Sequence, residues 1–202
     1  MGELLPVSEA ALDRAADAIR EGELVVYPTE TVYGLGADAL DPEAIERVFE
    51  AKRRDRSDPI SLGVPSIDAA EEYAVVGKTE RAFMEAFLPG PVTVVLERRP
   101  TVPAVLTGGR NRVGIRVPDH QGALALLERV APVTATSANV SGRPSVTSLE
   151  ELDPEIDAGA AVVLDGGETQ GTASTVVDVA AGTIHRRGRD ADAIDDWLEQ
   201  RP

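Results

Sequence analysis

Residues 25–36 read VVYPTETVYGLG, and the fold turns on how this stretch is divided. The apolar, β-branched run before Pro28 suits a buried strand. Pro28 has no N–H and halts the pairing at the strand's end. Thr29 and Thr31 then offer hydroxyls there, and Gly34 and Gly36 are expected to let the backbone turn away from a pocket. Strand ends of an α/β sheet are where ligands bind.

Outward from this stretch, strands and helices alternate. Residues 8–20 suit a helix capped by Ser8, with Leu12, Ala15, Ala16 and Ile19 on one face. Residues 41–54 suit a second, with Asp41 as cap and Pro42 in the first turn. Further helical stretches are expected at 66–74, 79–88, 119–130 and 190–199. Strands are expected at 23–27, 60–64, 92–97, 113–118, 132–137, 160–165, 174–180 and 182–187. The expectation is an α/β fold: a twisted, open, mixed sheet with helices packed on it. With no repeat and no low-complexity linker, 1–202 is expected to be one domain.

The chain carries 35 acidic and 20 basic residues, a net charge of −15, and its only lysines are Lys52 and Lys78. Such a surface repels nucleic acid and anionic membranes at low salt, and it suits solubility in a salty cytoplasm. There is no cysteine, which removes disulfides and thiolate chemistry and agrees with a cytoplasmic protein. No apolar run reaches 18 residues and the first ten lack the blocks of a signal peptide, so no membrane association is expected.

Two glycine motifs read as decoys. GLGADA at 34–39 has the outline of a dinucleotide fingerprint, but the glycines do not lead from strand directly into helix. DGGETQGTAS at 165–174 lacks the lysine of a phosphate loop and reads as an ordinary connection. The only histidines are His120 and His185, with no serine-hydrolase or zinc signature, so no metal ligands are assigned. Positioning and charge must then carry any chemistry. Arginine and hydroxyl clusters remain at element ends: PTET, KRRDR at 52–56, GRNRVGIR at 109–116, TSANVSGRPS at 136–145 and HRRGR at 185–189. Guanidinium forks suit phosphate and carboxylate, and short hydroxyls suit ribose and phosphate oxygens. These features point to an anionic small molecule, a nucleotide being one such ligand.

The segments YPTETVYGLG, AKRRDRSDPI, LPGPVTVVL, VGIRVP, TSANVSGRPS, STVVD and HRRG occur in the order of the YrdC-like family, from about residue 8 to 189. The resemblance implies a threonylcarbamoyl-adenylate synthase, a nucleotidyltransferase that joins L-threonine, bicarbonate and ATP with release of pyrophosphate. Mg²⁺ would enter with ATP. A downstream threonylcarbamoyl transferase complex would modify the tRNA adenosine beside the anticodon, with weak tRNA binding as a further expectation. By the same resemblance Lys52, Arg54 and Arg186 are catalytic. They bind ATP with Asp58, Ser137, Asn139 and Ser145. Thr31, Arg116, Ala135 and Ser174 bind threonine, and Glu30 is placed to receive its nitrogen.

The chain departs from the family pattern at Asp55 for a proline, Asp58 for an asparagine, Gly63 for a histidine and Arg112 for a small hydroxyl residue. It ends near its last helix, as expected of the short form. Two other readings stay open: an RNA-binding or ribosome-assembly module, and a family relative without synthase activity.

Overall fold

The computed structural model describes residues 2–200. Its strands are β1 (Glu3–Pro6), β2 (Leu24–Pro28), β3 (Tyr33–Gly36), β4 (Ser61–Gly63), β5 (Ala74–Val75), β6 (Val92–Arg98), β7 (Arg112–Arg116), β8 (Val133–Ser137), β9 (Ala160–Asp165), β10 (Thr175–Asp178) and β11 (Thr183–Arg186). The helices are α1 (Glu9–Arg20), α2 (Pro42–Lys52), α3 (Ile67–Ala70), α4 (Lys78–Phe87), α5 (Gln121–Val130), α6 (Pro154–Gly159) and α7 (Ala191–Gln200). One mixed sheet runs β1-β9-β2-β3-β8-β4-β7-β6-β10-β11, with β5 beside β6. The pairs β1/β9, β2/β9, β4/β7 and β6/β10 are parallel, and the others are antiparallel.

Helix boundaries follow local chemistry. Ser8 accepts from the Ala11 N–H and Asp41 from the Glu43 N–H, each satisfying a donor that the first turn leaves free. The α2 helix ends where Arg53 enters the left-handed region at φ 48°.

The opening stretch divides differently from the expectation. Pro28 is the last residue of β2 and still sits opposite Tyr33, so the chain makes a hairpin with 29–32 at its tip. Gly34 and Gly36 do not turn away; they are strand residues opposite Tyr27 and Val25. The Tyr27 ring explains both glycines. A Cβ on Gly34 would lie 2.9 Å from its Cζ, and one on Gly36 would lie 3.0 Å from its Cε1. The ring lies flat over β3, and only glycine leaves room for it. The sequence reading also missed β1, β5 and α6, and gave 66–74 as a helix where only the short α3 forms.

Side chains alternate across a strand, and that alternation sets two cores. Leu24 and Val26 of β2 pack with Val48, Phe49, Leu62, Phe83, Val94, Ile115 and Val177. Val25 and Tyr27 face the other way, into a core with Leu12, Ile19, Leu126, Leu127, Val162 and Leu164. Helices α1 and α5 thus cover this second face only over β1, β9, β2 and the start of β8. Across β4, β7, β6 and β10 the same face is uncovered. Its residues are Ser61, Gly63, Arg112, Gly114, Arg116, Thr93, Val95 and Val176, and they form the floor of a hollow.

Candidate functional site

The hollow has a volume of about 380 Å³. Its floor follows from register. In β7 Val113 and Ile115 are buried in the core, so Arg112, Gly114 and Arg116 point to the opposite side. In β8 the Val133 side defines the face, and Ala135 and Ser137 follow it. Gly114 is required where floor strands meet: its Cβ would fall 2.4 Å from Ser61 Oγ and 2.9 Å from Thr93 Cγ2.

Eight of the expected site residues line this one hollow: Thr31, Arg54, Arg116, Ala135, Ser137, Ser145, Ser174 and Arg186. The three arginines among them are held by hydrogen bonds. Arg54 donates from Nε to the Asp58 carbonyl and from Nη2 to the Pro59 carbonyl, both at 3.1 Å. Arg116 donates from Nη2 to Thr31 Oγ1 at 2.7 Å and to Glu30 Oε1 at 2.9 Å. Arg186 donates from Nη2 to Ser174 Oγ at 2.8 Å and from Nε to the Ser174 carbonyl at 3.0 Å. The hydroxyl of Thr29 meets that of Thr31 at 2.9 Å and donates to the Val32 carbonyl at 2.7 Å, which shapes the hairpin tip.

The connection 165–174 is fastened to that tip. Tyr33 donates to the Gly167 carbonyl at 2.7 Å, and the Gly171 N–H donates to the Thr31 carbonyl at 2.7 Å. This segment, read from sequence as an ordinary connection, delivers Ala173 and Ser174 to the rim.

Three expected ligands stand outside the lining. Lys52 is buried and bonded to the carbonyls of Ser137 and Asn139. Asn139 is buried with its Nδ2 on the carbonyls of Val140 and Arg143. Asp58 is exposed; only its carbonyl serves the site, by holding Arg54. Glu30 also turns away from the role expected of it. Its side chain is 8% exposed, Oε1 is engaged by Arg116, and Oε2 is buried without a partner. Glu30 therefore orients Arg116 rather than facing a ligand nitrogen.

The basic clusters split by side-chain direction. Arg53, Arg56, Arg143 and Arg187 lie outside and pair with Glu155, Glu46, Asp153 and Asp192, respectively. Arg110, Arg112 and His185 line the hollow; their segments were candidate anion clusters, but the resemblance gave none of the three a role. The alternation of Arg112, Gly114 and Arg116 in one strand was the signal available for Arg112. It pairs with Asp178 and donates to the Val95 carbonyl at 3.0 Å.

Five guanidiniums thus surround the hollow, and no carboxylate lines it among the described residues. Arg112 and Arg116 have carboxylate partners in Asp178 and Glu30; Arg54, Arg110 and Arg186 have none among the described residues. Partial burial, then the like charges of Arg116 and Arg54, hold the Arg186 guanidinium below its usual range. Burial pushes the Tyr27 phenol up to about 12, against the Arg116 charge and with that of Glu30. In a chain of net charge −15 this is a local positive hollow, suited to anions with several oxygens. Fold and site together define an α/β domain with a positively lined hollow on an uncovered sheet face.

The sequence model of the Sua5/YciO/YrdC family, described as "Telomere recombination", matches residues 17–188. The chain belongs to this family. It is 43% identical over 176 residues to a threonylcarbamoyl-AMP synthase of Pyrococcus abyssi, covering 86% of this chain and 52% of that protein. A putative threonylcarbamoyl-AMP synthase of Methanocaldococcus jannaschii is 34% identical, covering 80% of this chain and 76% of the relative. Among solved structures, P. abyssi Sua5 complexed with L-threonine superposes with a TM-score of 0.86 at 40% identity, covering 93% of this chain and 57% of that one. Escherichia coli YciO gives a TM-score of 0.86 at 25% identity, covering 94% and 97%. The chain spans about half the length of the P. abyssi and Bacillus subtilis synthases it matches, at 52% of each. No described helix is long and apolar enough to cross a membrane.

Proposed function

We propose that this domain is a threonylcarbamoyl-AMP synthase, a nucleotidyltransferase acting on L-threonine, bicarbonate and ATP. The observation that carries this reading is the meeting of Arg54, Arg116 and Arg186 at one hollow, each steered by bonds from behind. The hollow gathers two sets of groups, which meet where Arg186 bonds Ser174. Thr31, Arg116, Ala135 and Ser174 offer a guanidinium and small hydroxyls, which suits an amino-acid carboxylate. Arg54, Ser137, Ser145 and Arg186 offer cations and hydroxyls, which suits phosphates. The threonine-bound P. abyssi relative supports the first assignment.

Threonine's amine forms an N–C bond with carbon dioxide derived from bicarbonate, losing a proton, and becomes a carbamate. A carbamate oxygen then attacks the α-phosphorus, and the bond from that phosphorus to the bridging oxygen breaks, releasing pyrophosphate. The nucleophile belongs to the substrate, so the protein needs no cysteine or activated serine. Its work is to hold two anions in register and to offset charge on the phosphates. Proximity of this kind contributes about 7–11 kcal/mol in well-oriented systems. Arg54 and Arg186 are assigned the charge on the phosphates, and Arg116 the threonine carboxylate. Mg²⁺ arrives on the ATP phosphates as part of the substrate, since the lining offers it no carboxylate.

A cytoplasmic setting and a downstream threonylcarbamoyl transferase acting on tRNA belong to the same reading. Pyrophosphate release tests it. Release should require threonine and bicarbonate together, and equal ATP cleavage with either omitted would refute it.

A further inference from the structure

Lys52 has a structural setting unlike that of the arginines. It is the last residue of α2, and at 1% exposure it is one of the largest side chains to be fully buried. Its Nζ donates to the Ser137 carbonyl and, at 2.7 Å, to the Asn139 carbonyl. Its own carbonyl accepts from the Ser141 N–H at 2.8 Å. Lys52 therefore grips the end of β8 and the segment after it at three points.

The same segment is held from its other side. The Val140 N–H donates to Asp153 Oδ2 at 2.9 Å, and Arg143 pairs with Asp153. Asn139 Nδ2 closes the turn on the Val140 and Arg143 carbonyls, both at 2.9 Å. The sheet ladder ends at Ser137, so the carbonyls beyond it need donors from elsewhere. A lysine head supplies several from one compact group. Burying an ammonium is costly, and burial here holds the Lys52 pKa down at about 8. Such a charge is not spent on solvent.

We propose that Lys52 is a positioning residue: from behind the wall it fastens 137–145 so that Ser137 and Ser145 face the hollow, and it does not touch the nucleotide. The identity of the ligand rests on the synthase reading; the fastening does not. A swing of Nζ toward a phosphate would take its bonds away from the Ser137 and Asn139 carbonyls.

Lys52→Met keeps the length of the side chain and removes its donors. Amides of 139–145 should then exchange with solvent at least tenfold faster, with α1 and β2 unchanged. Affinity for a non-hydrolysable ATP analogue with Mg²⁺ should fall at least tenfold, while threonine affinity changes less than twofold. Unchanged exchange in 139–145 would overturn the proposal, as would faster exchange with unchanged nucleotide affinity.

A crystal structure of the unaltered protein with the same analogue keeps the proposal testable if the variant does not fold. Nζ should stay within about 3.2 Å of both carbonyls. Nζ bonded to a phosphate oxygen would overturn it. Hydrogen exchange is read without substrate. Absence of nucleotide binding by the unaltered protein would therefore count against the synthase reading and leave the fastening to be judged on exchange alone.

Discussion

Arg116 Nη2 donates to Thr31 Oγ1 at 2.7 Å, and this bond joins the floor of the hollow to the tip of the β2–β3 hairpin. Glu30 pairs with the same guanidinium through Oε1 at 2.9 Å. The hairpin therefore sets the direction of a cation that lies 85 residues away in sequence. Glu30 and Thr31 both engage Nη2 of Arg116, which lines the hollow together with Ala135 and Ser174.

That arrangement makes Arg116→Lys a severe change despite its conserved charge, because an ammonium cannot reproduce the fork. The threonine KM should rise by about thirtyfold, corresponding to about 2 kcal/mol, with ATP affinity little altered. Steady-state kinetics with each substrate varied in turn checks the split.

Among the described residues the Arg54 side chain bonds the Asp58 and Pro59 carbonyls and belongs to neither core, so its loss should leave the cores intact. Arg54→Ala should keep unfolding stability within about 0.5 kcal/mol. Pyrophosphate release should fall by roughly 10³ or more, the scale on which a positioned arginine acts in phosphoryl transfer. A coupled pyrophosphate assay beside a denaturant titration measures both.

Lys52 gives a pH signature. Its pKa is lowered from 10.5 to about 8, by burial first and by Arg54 second, with Asp153 opposing. Between these values the unfolded chain binds more protons than the folded one, so this group adds stability as pH rises through that window. Tyr27, raised to about 12, acts in the opposite sense above its ordinary value of 10, which leaves pH 8 to 10 as the clean interval. Over it, the unfolding free energy of the unaltered protein minus that of Lys52→Met should increase by roughly 2–3 kcal/mol. A flat difference in urea titrations would contradict this.

Gly34→Ala tests the hairpin. The added methyl would press on the buried Tyr27 ring at 2.9 Å from Cζ and 3.3 Å from Oη. Overpacking of this kind should destabilise by about 1–3 kcal/mol. Because Tyr27 also lines the hollow, threonine affinity should fall with it.

Most of the regular elements were legible because their signals are local. The caps Ser8 and Asp41, the apolar face of α1 and the run at Ala160–Asp165 all sit where periodicity places them. What sequence alone misread was long-range. Gly34 and Gly36 read as a turn because their reason, the Tyr27 ring, is a contact across a hairpin. The short β1 is unreadable without β9, the strand on which it pairs in parallel.

The site divides in the same way. The resemblance gathered eight residues of the lining, but residue type could not tell an inward arginine from an outward one. Arg53 and Arg54 are adjacent, yet the left-handed turn at Arg53 sends one to Glu155 and the other to the hollow. The burial of Lys52 against the Ser137 and Asn139 carbonyls was not legible locally, because it depends on β8, far along the chain.

The central claim is that one hollow joins an amino acid to a nucleotide. Radiolabelled threonine, incubated with the protein, ATP, Mg²⁺ and bicarbonate and then resolved by chromatography, tests it most directly. The account predicts label in an adenylate formed in equal amount to pyrophosphate, and none when bicarbonate is removed. Label remaining wholly in free threonine while ATP is consumed would contradict it.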